Sequence, residues 1–279
     1  MVSSGKKGIV ISVFLLVLLV STSLVFAAEQ VQQSGCGSGS DILWQNTRTG
    51  QVVVWLMNGL TISSTTTIGT VPSPWQVVGT DDFDGDGNSD LLWQNTSTGE
   101  VVLWLMTATT VKTMMSLTNV STDWRVAGVG DFNSDGKPDI LWYNKTTGQV
   151  AVWLMNNTAM SSAVLVNQVP TNWQIAGVGD LDGNKKPDIL WQDTRTGDVV
   201  VWFMDGTTIS MASYIARGIP AEWSIAGVGD LDGDGKSDVL WRNQTTGDVA
   251  VWEMNGATIV GGSYIARGIP PEWSIVGPR

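Results

Sequence analysis

Four segments of this 279-residue chain repeat one arrangement of oxygen-bearing side chains. Positions 1, 3, 5 and 9 of the first segment are Asp82, Asp84, Asp86 and Asp90, and those of the second are Asp131, Asn133, Asp135 and Asp139. The third has Asp180, Asp182, Asn184 and Asp188, and the fourth Asp230, Asp232, Asp234 and Asp238. Carboxylates this crowded repel one another unless positive charge sits among them. Alternate spacing in a tight turn aims successive oxygens at one centre, and the residue at position 7 (Asn88, Lys137, Lys186 or Lys236) can add a backbone carbonyl. This is the first part of an EF-hand-like loop, with glycine at position 6 for the sharp bend. All-oxygen ligation selects a hard cation, and a flexible loop suits Ca2+ better than octahedral Mg2+. The spacing thus predicts up to four Ca2+ sites. The loop at Asp180 is expected to be the weakest, because Lys185 stands where glycine belongs and a left-handed backbone there costs ~1 kcal/mol or more. The plainer alternative is that Asp and Asn only form turns with their own backbone.

The loops hold fourteen of the chain's 26 acids (four, three, three and four in loop order), so they dominate a net charge of −11. That charge disfavours nucleic-acid partners, which are bound through clustered Lys and Arg. Histidine is absent and Cys36 is the one cysteine. A disulfide framework within the chain, a Cys/His zinc site and any catalysis that needs imidazole are excluded.

The elements that carry these loops recur with the same period. All 15 tryptophans fall into three series: Trp44, Trp93, Trp142, Trp191 and Trp241 after the acidic loop; Trp55, Trp104, Trp153, Trp202 and Trp252 in a Val-rich run; and Trp75, Trp124, Trp173, Trp223 and Trp273 opening a further run. Every step is 49 or 50 residues. Each unit offers four β-rich runs, as in "WQIAGVGDL", "DILWQD", "DVVVWFMD" and "TTISMASYIA", with Gly- and Thr-containing turns between them. No sustained helical period follows the N-terminal region. Four strands per unit of about 50 residues predict an all-β, five-bladed β-propeller of four-stranded blades. The small residues of "VAGVG" and "IAGVG" suit the innermost strand, where blades crowd the axis. The repeat units run near 41–80, 81–129, 130–178, 179–228 and 229–279. The first unit lacks a Trp-led strand and the chain ends on one, "PEWSIVGPR", so the C-terminal strand is expected to complete the first blade and close a monomeric ring. An incomplete ring needing a second chain, or a curved stack of blades, is the alternative. The segment "SYIARGIP" occurs identically at 213–220 and 263–270, which points to duplication of the last unit.

Residues 1–28 read as a signal peptide: Lys6 and Lys7 precede the apolar run "GIVISVFLLVLLV", and small residues suit cleavage near Ala27 or Ala28. An uncleaved membrane anchor is the alternative, since the run approaches the ~20 residues a bilayer needs. Either way the folded part, 41–279 after a linker at 29–40, is expected to be secreted or otherwise extracytoplasmic. Only an uncleaved segment would bring it to a membrane.

"DFDGDGNSDLLW" and "GVGDLDGDGKSDVLW" resemble the FG-GAP/VCBS-type repeats of bacterial secreted proteins and the calcium loops in the propeller of integrin α-subunits. The resemblance covers nearly all of residues 40–279 and implies a calcium-bearing propeller in which the metal braces a turn between two strands of a blade. The chain departs from that pattern in lacking clear Phe-Gly and Gly-Ala-Pro signatures and in having fewer units than the integrin type, so integrin-like ligand binding is not carried over.

Three functions fit these observations. A binding module for glycans or cell-surface proteins would use repeated blades for avidity and tryptophans for sugar stacking. Most of those tryptophans are expected in the core, and any exposed series is expected to be that of the Val-rich run. A structural scaffold would use calcium for stability alone. A glycoside-acting enzyme would need carboxylates at unique positions, whereas Glu100, Asp198 and Asp248 recur at one hairpin turn and Glu222 and Glu272 before one strand. The chain is therefore expected not to be an enzyme.

Overall fold

The computed structural model describes residues 25–28, 42–46, 49–58, 61–231, 233–268 and 274–278. They form strands and turns with no helix among them, and none there is long and apolar enough to cross a membrane. In chain order the first strands are β1 (Val25–Ala28), β2 (Ile42–Gln45), β3 (Gln51–Asn58) and β4 (Thr61–Thr70). Next come β5 (Trp75–Asp81), β6 (Asp90–Asn95), β7 (Glu100–Thr107) and β8 (Thr110–Asn119), then β9 (Trp124–Gly130), β10 (Asp139–Asn144), β11 (Gln149–Asn156) and β12 (Ala159–Gln168). β13 (Trp173–Gly179), β14 (Asp188–Asp193), β15 (Val199–Asp205) and β16 (Thr208–Ala216) follow. The last are β17 (Trp223–Gly229), β18 (Asp238–Asn243), β19 (Val249–Asn255), β20 (Thr258–Ala266) and β21 (Ser274–Pro278).

β5–β8, β9–β12, β13–β16 and β17–β20 each form a four-stranded antiparallel meander, and their first strands lie side by side in chain order, the arrangement of a β-propeller. Burial grades outward from the second strand. β6 is buried at all six positions, β7 alternates, and β8 is mostly exposed, as expected of a sheet covered on both faces and open at its rim. Between blades, Leu92, Val101 and Leu103 of one sheet pack against Ile140, Trp142 and Met155 of the next.

The small residues of the first strands answer a close approach. A Cβ on Gly79, Gly128 or Gly177 would lie 2.4, 2.5 and 2.4 Å from Cγ2 of Val129, Val178 and Val228, so each valine fills the hollow its neighbour's glycine leaves. Glutamines add a polar clamp. The Gln94 side chain donates to Trp124 O and accepts from the Val126 amide across the blade boundary. Gln45 and Gln192 repeat this at the next strands, and the Tyr143 hydroxyl makes the donor half alone.

The expectation of five four-stranded blades needs correction. Four sheets have that form; the remaining sheet is five-stranded, in the order β21-β1-β2-β3-β4. β21 reaches this sheet and lies against β17, as β17 lies against β13. It does not pair with β2. Residues 25–28, expected at the end of the signal peptide, run antiparallel to β2 and parallel to β21, so β1 separates them. The apolar "VFAA" supplies a strand as readily as the tail does, and local β-propensity cannot rank the two. Residues 1–24 and the linker at 29–40 lie outside the described residues.

Candidate metal centres and an aromatic hollow

The four acidic loops join the first and second strands of the regular blades, all at one end of the sheets. In the loop at Asp82, the position-1 carboxylate gathers the backbone: Oδ1 accepts from the Gly85 and Asp86 amides at 2.8 and 3.0 Å, and Oδ2 from Gly87 at 2.8 Å. Asp84 Oδ1 accepts from the Asp86 amide and Asp86 Oδ1 from that of Asn88. The same ladder recurs from Asp131 through Asn133 and Asp135 to Lys137, and from Asp180 through Asp182 and Asn184 to Lys186. In the fourth loop Asp230 accepts from Gly233 and Gly235, and Asp234 from Lys236; Asp232 lies outside the described residues. The turns of the plainer alternative are therefore present, and they hold the side-chain oxygens together.

Two left-handed residues bend each loop. At position 6 these are Gly87, Gly136, Lys185 and Gly235, and Lys185 adopts φ +66° as its spacing required. At position 4 they are Gly85, Ser134, Gly183 and Gly233, a requirement that the EF-hand pattern did not flag.

Position 9 differs in kind. Asp90, Asp139, Asp188 and Asp238 are buried. Each carboxylate joins two backbone amides: one at position 2 of its own loop (Phe83, Phe132, Leu181 or Leu231) and one in the third strand (Met106, Met155, Met204 or Met254), all at 2.8–3.0 Å. The third-strand amide is free for this because the ladder slips there, between Leu105 and Met106 and at the equivalent places. Burial, the largest cause, raises Asp90 and Asp139 to about 6 and Asp188 to about 7 against the lowering by the two amides. A methionine sixteen residues after every position-9 aspartate was the sequence signal for this anchor.

Among the described residues, two carboxylate triads could hold a metal ion: Asp82, Asp84 and Asp86; and Asp180, Asp182 and Asp188. Within each, one oxygen per residue lies within 4.8 Å of the others. Oxygens sharing a Ca2+ at 2.3–2.6 Å can be at most about 5 Å apart, so both triads fit that ion in spacing and in donor hardness. Asp90 does not join the first triad, whereas Asp188 joins the second. In the loop at Asp131, the Asn133 amide donates to Asp135 Oδ2.

The tryptophans after the acidic loops are the most buried, while those of the Val-rich run are no more exposed than Trp75, Trp124, Trp173 and Trp223, which are half-buried as well. Trp93, Trp142, Trp191 and Trp241 are fully buried, and each packs on the third-strand tryptophan of its own blade at 4.7–4.9 Å between ring centroids. Trp104, Trp153 and Trp252 are half-buried, while Trp202 is buried. On the last regular blade, a cavity of about 540 Å³ is lined by Trp223, Trp252, Tyr264, Ser263, Ile219 and Pro220, among others. Gly261 and Gly262 lie on its wall where the preceding blade has Met211 and Ala212. Tyr264 is half exposed, and the Arg267 guanidinium stacks 3.8 Å from its ring while facing Asp248.

Comparison with known proteins agrees with this architecture. A chain of the nidogen/laminin complex superposes with a TM-score of 0.53 and 11% identity, covering 86% of this chain and 97% of that one. A luciferin-regenerating enzyme gives 0.51 and 10%, covering 81% and 72%. Regucalcin, a calcium-binding protein from Agrobacterium tumefaciens, gives 0.42 and 11%, covering 84% and 70%. At these identities the likeness is one of fold, and the last carries no argument. No curated protein matches in sequence. The FG-GAP-like repeat model matches residues 82–142, 131–191 and 180–241, together more than half of the chain. With its acidic loops set between the first two strands of successive blades, the chain belongs to the FG-GAP-like repeat family.

Proposed function

We propose that the chain is an exported, calcium-binding β-propeller that serves as a non-catalytic binding module, with carbohydrate as its ligand. Calcium is supported by the two carboxylate triads and by the recurrence of their loop in four blades. When bound, the ion would neutralise the loop carboxylates. The chain's own work is to hold those oxygens ready, with position 1 folding the loop and position 9 fixing it to the third strand.

The observation that carries the ligand reading is the aromatic hollow on the last regular blade. Its volume lies in the range of small-molecule sites. Tryptophan and tyrosine walls suit the apolar face of a pyranose, and Ser263 and Arg267 at its margin offer donors to hydroxyls. Of the recurrent acids outside the loops, Asp198 and Asp248 are engaged in structure: they face Arg217 and Arg267 and accept from the Gly218 and Gly268 amides. A glycan array probed with and without chelator tests the reading. Binding that is lost in Tyr264→Ala supports it. The absence of any glycan ligand, together with a large loss of melting temperature under chelator, favours the scaffold instead.

Ring closure belongs to the same proposal. β1 and β21 run in the same direction, so removal of residues 1–28 would let β21 pair with β2 and make a fifth four-stranded blade. A monomeric mass for protein beginning at residue 29 supports closure; an obligate dimer overturns it.

A further inference from the structure

We propose that Lys112 is an internal cation that competes with Ca2+ for the loop at Asp82, giving that loop a lower affinity than the loop at Asp180. This rests on the calcium reading above, and it reverses the order expected from Lys185. Lys112 Nζ lies 3.1 Å from Asp84 Oδ2 and 3.2 Å from Asp86 Oδ2, the two oxygens that the loop's own backbone amides leave unused. The ammonium therefore occupies the place where a metal would share these carboxylates. A metal must displace it, and the displaced charge stays tethered nearby.

The placement follows from the blade's geometry. β7 and β8 pair Leu105 with Thr113 and Met106 with Val111, so Lys112 is the extra residue of a β-bulge. A bulge re-aims its side chain out of the regular alternation, here toward the acidic loop. The equivalent bulge residues are Ser161, Ser210 and Val260. Ser161 and Ser210 donate to their own third strand, at Leu154 O and Phe203 O, and Val260 carries no charge.

Among the described residues, the other lysines near the loops do not bridge two ligands. Lys137 donates to Asn156 and Lys186 to Asp205, both at the ends of third strands. Lys236 runs beside Gly183 and ends 3.4 Å from Asp234 of its own loop. The loop at Asp82 has Asn88 where these three have position-7 lysines, so it alone draws its cation from the outer strand. Among the described residues the Asp180, Asp182 and Asp188 triad has no such bridge: its position-7 lysine is turned to Asp205, and Lys236 beside it ends at Asp234.

Calcium titration of the 15N-labelled protein reads the loops separately, with the Gly85 and Gly87 amides reporting one and Gly183 and Lys185 the other. In the parent protein the loop at Asp180 should saturate at lower Ca2+. Lys112→Ser, which installs the neighbouring blades' residue, and Lys112→Met should tighten the loop at Asp82 by about three- to tenfold at low salt, with less gain at high salt. The loop at Asp180 should not move. Without calcium, hydrogen exchange at Gly85 and Gly87 should quicken in both variants. Unchanged affinity at Asp82, or earlier saturation there in the parent, overturns the proposal while leaving calcium binding intact. Silence of every loop to Ca2+ removes both.

Discussion

The loops at Asp82 and Asp180 follow the same backbone path and differ in what surrounds it. Both are folded by a position-1 aspartate that accepts three amides, and both are anchored by a buried position-9 aspartate. One presents its outer oxygens to a lysine from a bulge, and the other has its position-7 lysine turned to Asp205. Folding of the loop and strength of a metal site are thus set by different residues. Motif matching weighs only the former.

The largest effect expected is from metal removal. At about a hundredfold excess over its dissociation constant, each occupied site should add ~2.7 kcal/mol, so chelation should lower the melting temperature strongly. Unequal loops should make the curve of melting temperature against free Ca2+ biphasic, and a single-step curve would break the contrast drawn here.

Next in size is the anchor. In chelator, Asp188→Ala leaves two buried amides without an acceptor and should cost about 2–5 kcal/mol in denaturant unfolding. Asp182→Ala, at an exposed position, should cost under about 1 kcal/mol. Equal losses would show that the two roles are not distinct.

The pH response sharpens the comparison. The folded values of Asp90, Asp139 and Asp188 are raised from 3.8, so the folded state holds their protons after the unfolded state has released them. Their contribution to metal-free stability should therefore be fullest below about 4 and be lost as pH rises through about 6 to 7, last at Asp188. Calcium, which favours the ionised forms, should flatten or reverse this slope. Urea midpoints from pH 4 to 8, with and without Ca2+, measure it. The smallest effect is local: Lys185→Gly should stabilise the metal-free protein by about 1 kcal/mol by relieving a left-handed non-glycine residue, seen as a small rise in urea midpoint.

The repeat, the order of strands within a blade and the loop residues were legible because each is a local pattern stated four or five times over. The role of position 9 was only half legible. Its carboxylate was evident, but the amide it anchors belongs to a strand sixteen residues away, freed by a slip in pairing that no single residue announces. Lys112 was not singled out at all, since nothing in "TTVKTMM" says that a bulge turns its side chain toward Asp84. The first sheet went astray for a similar reason: two short apolar segments, "VFAA" and "SIVGP", can both serve at one edge, and their pairing is a long-range competition.

By itself, then, the sequence determined the period, the blade and the recurrent acidic loops, because propensity and short-range spacing act within a few residues of where they are written. Only the tertiary structure decided which strand borders the first sheet and which cation faces each loop. Those outcomes depend on contacts between residues far apart in the chain, and the geometry that joins them exists only once the sheets have paired.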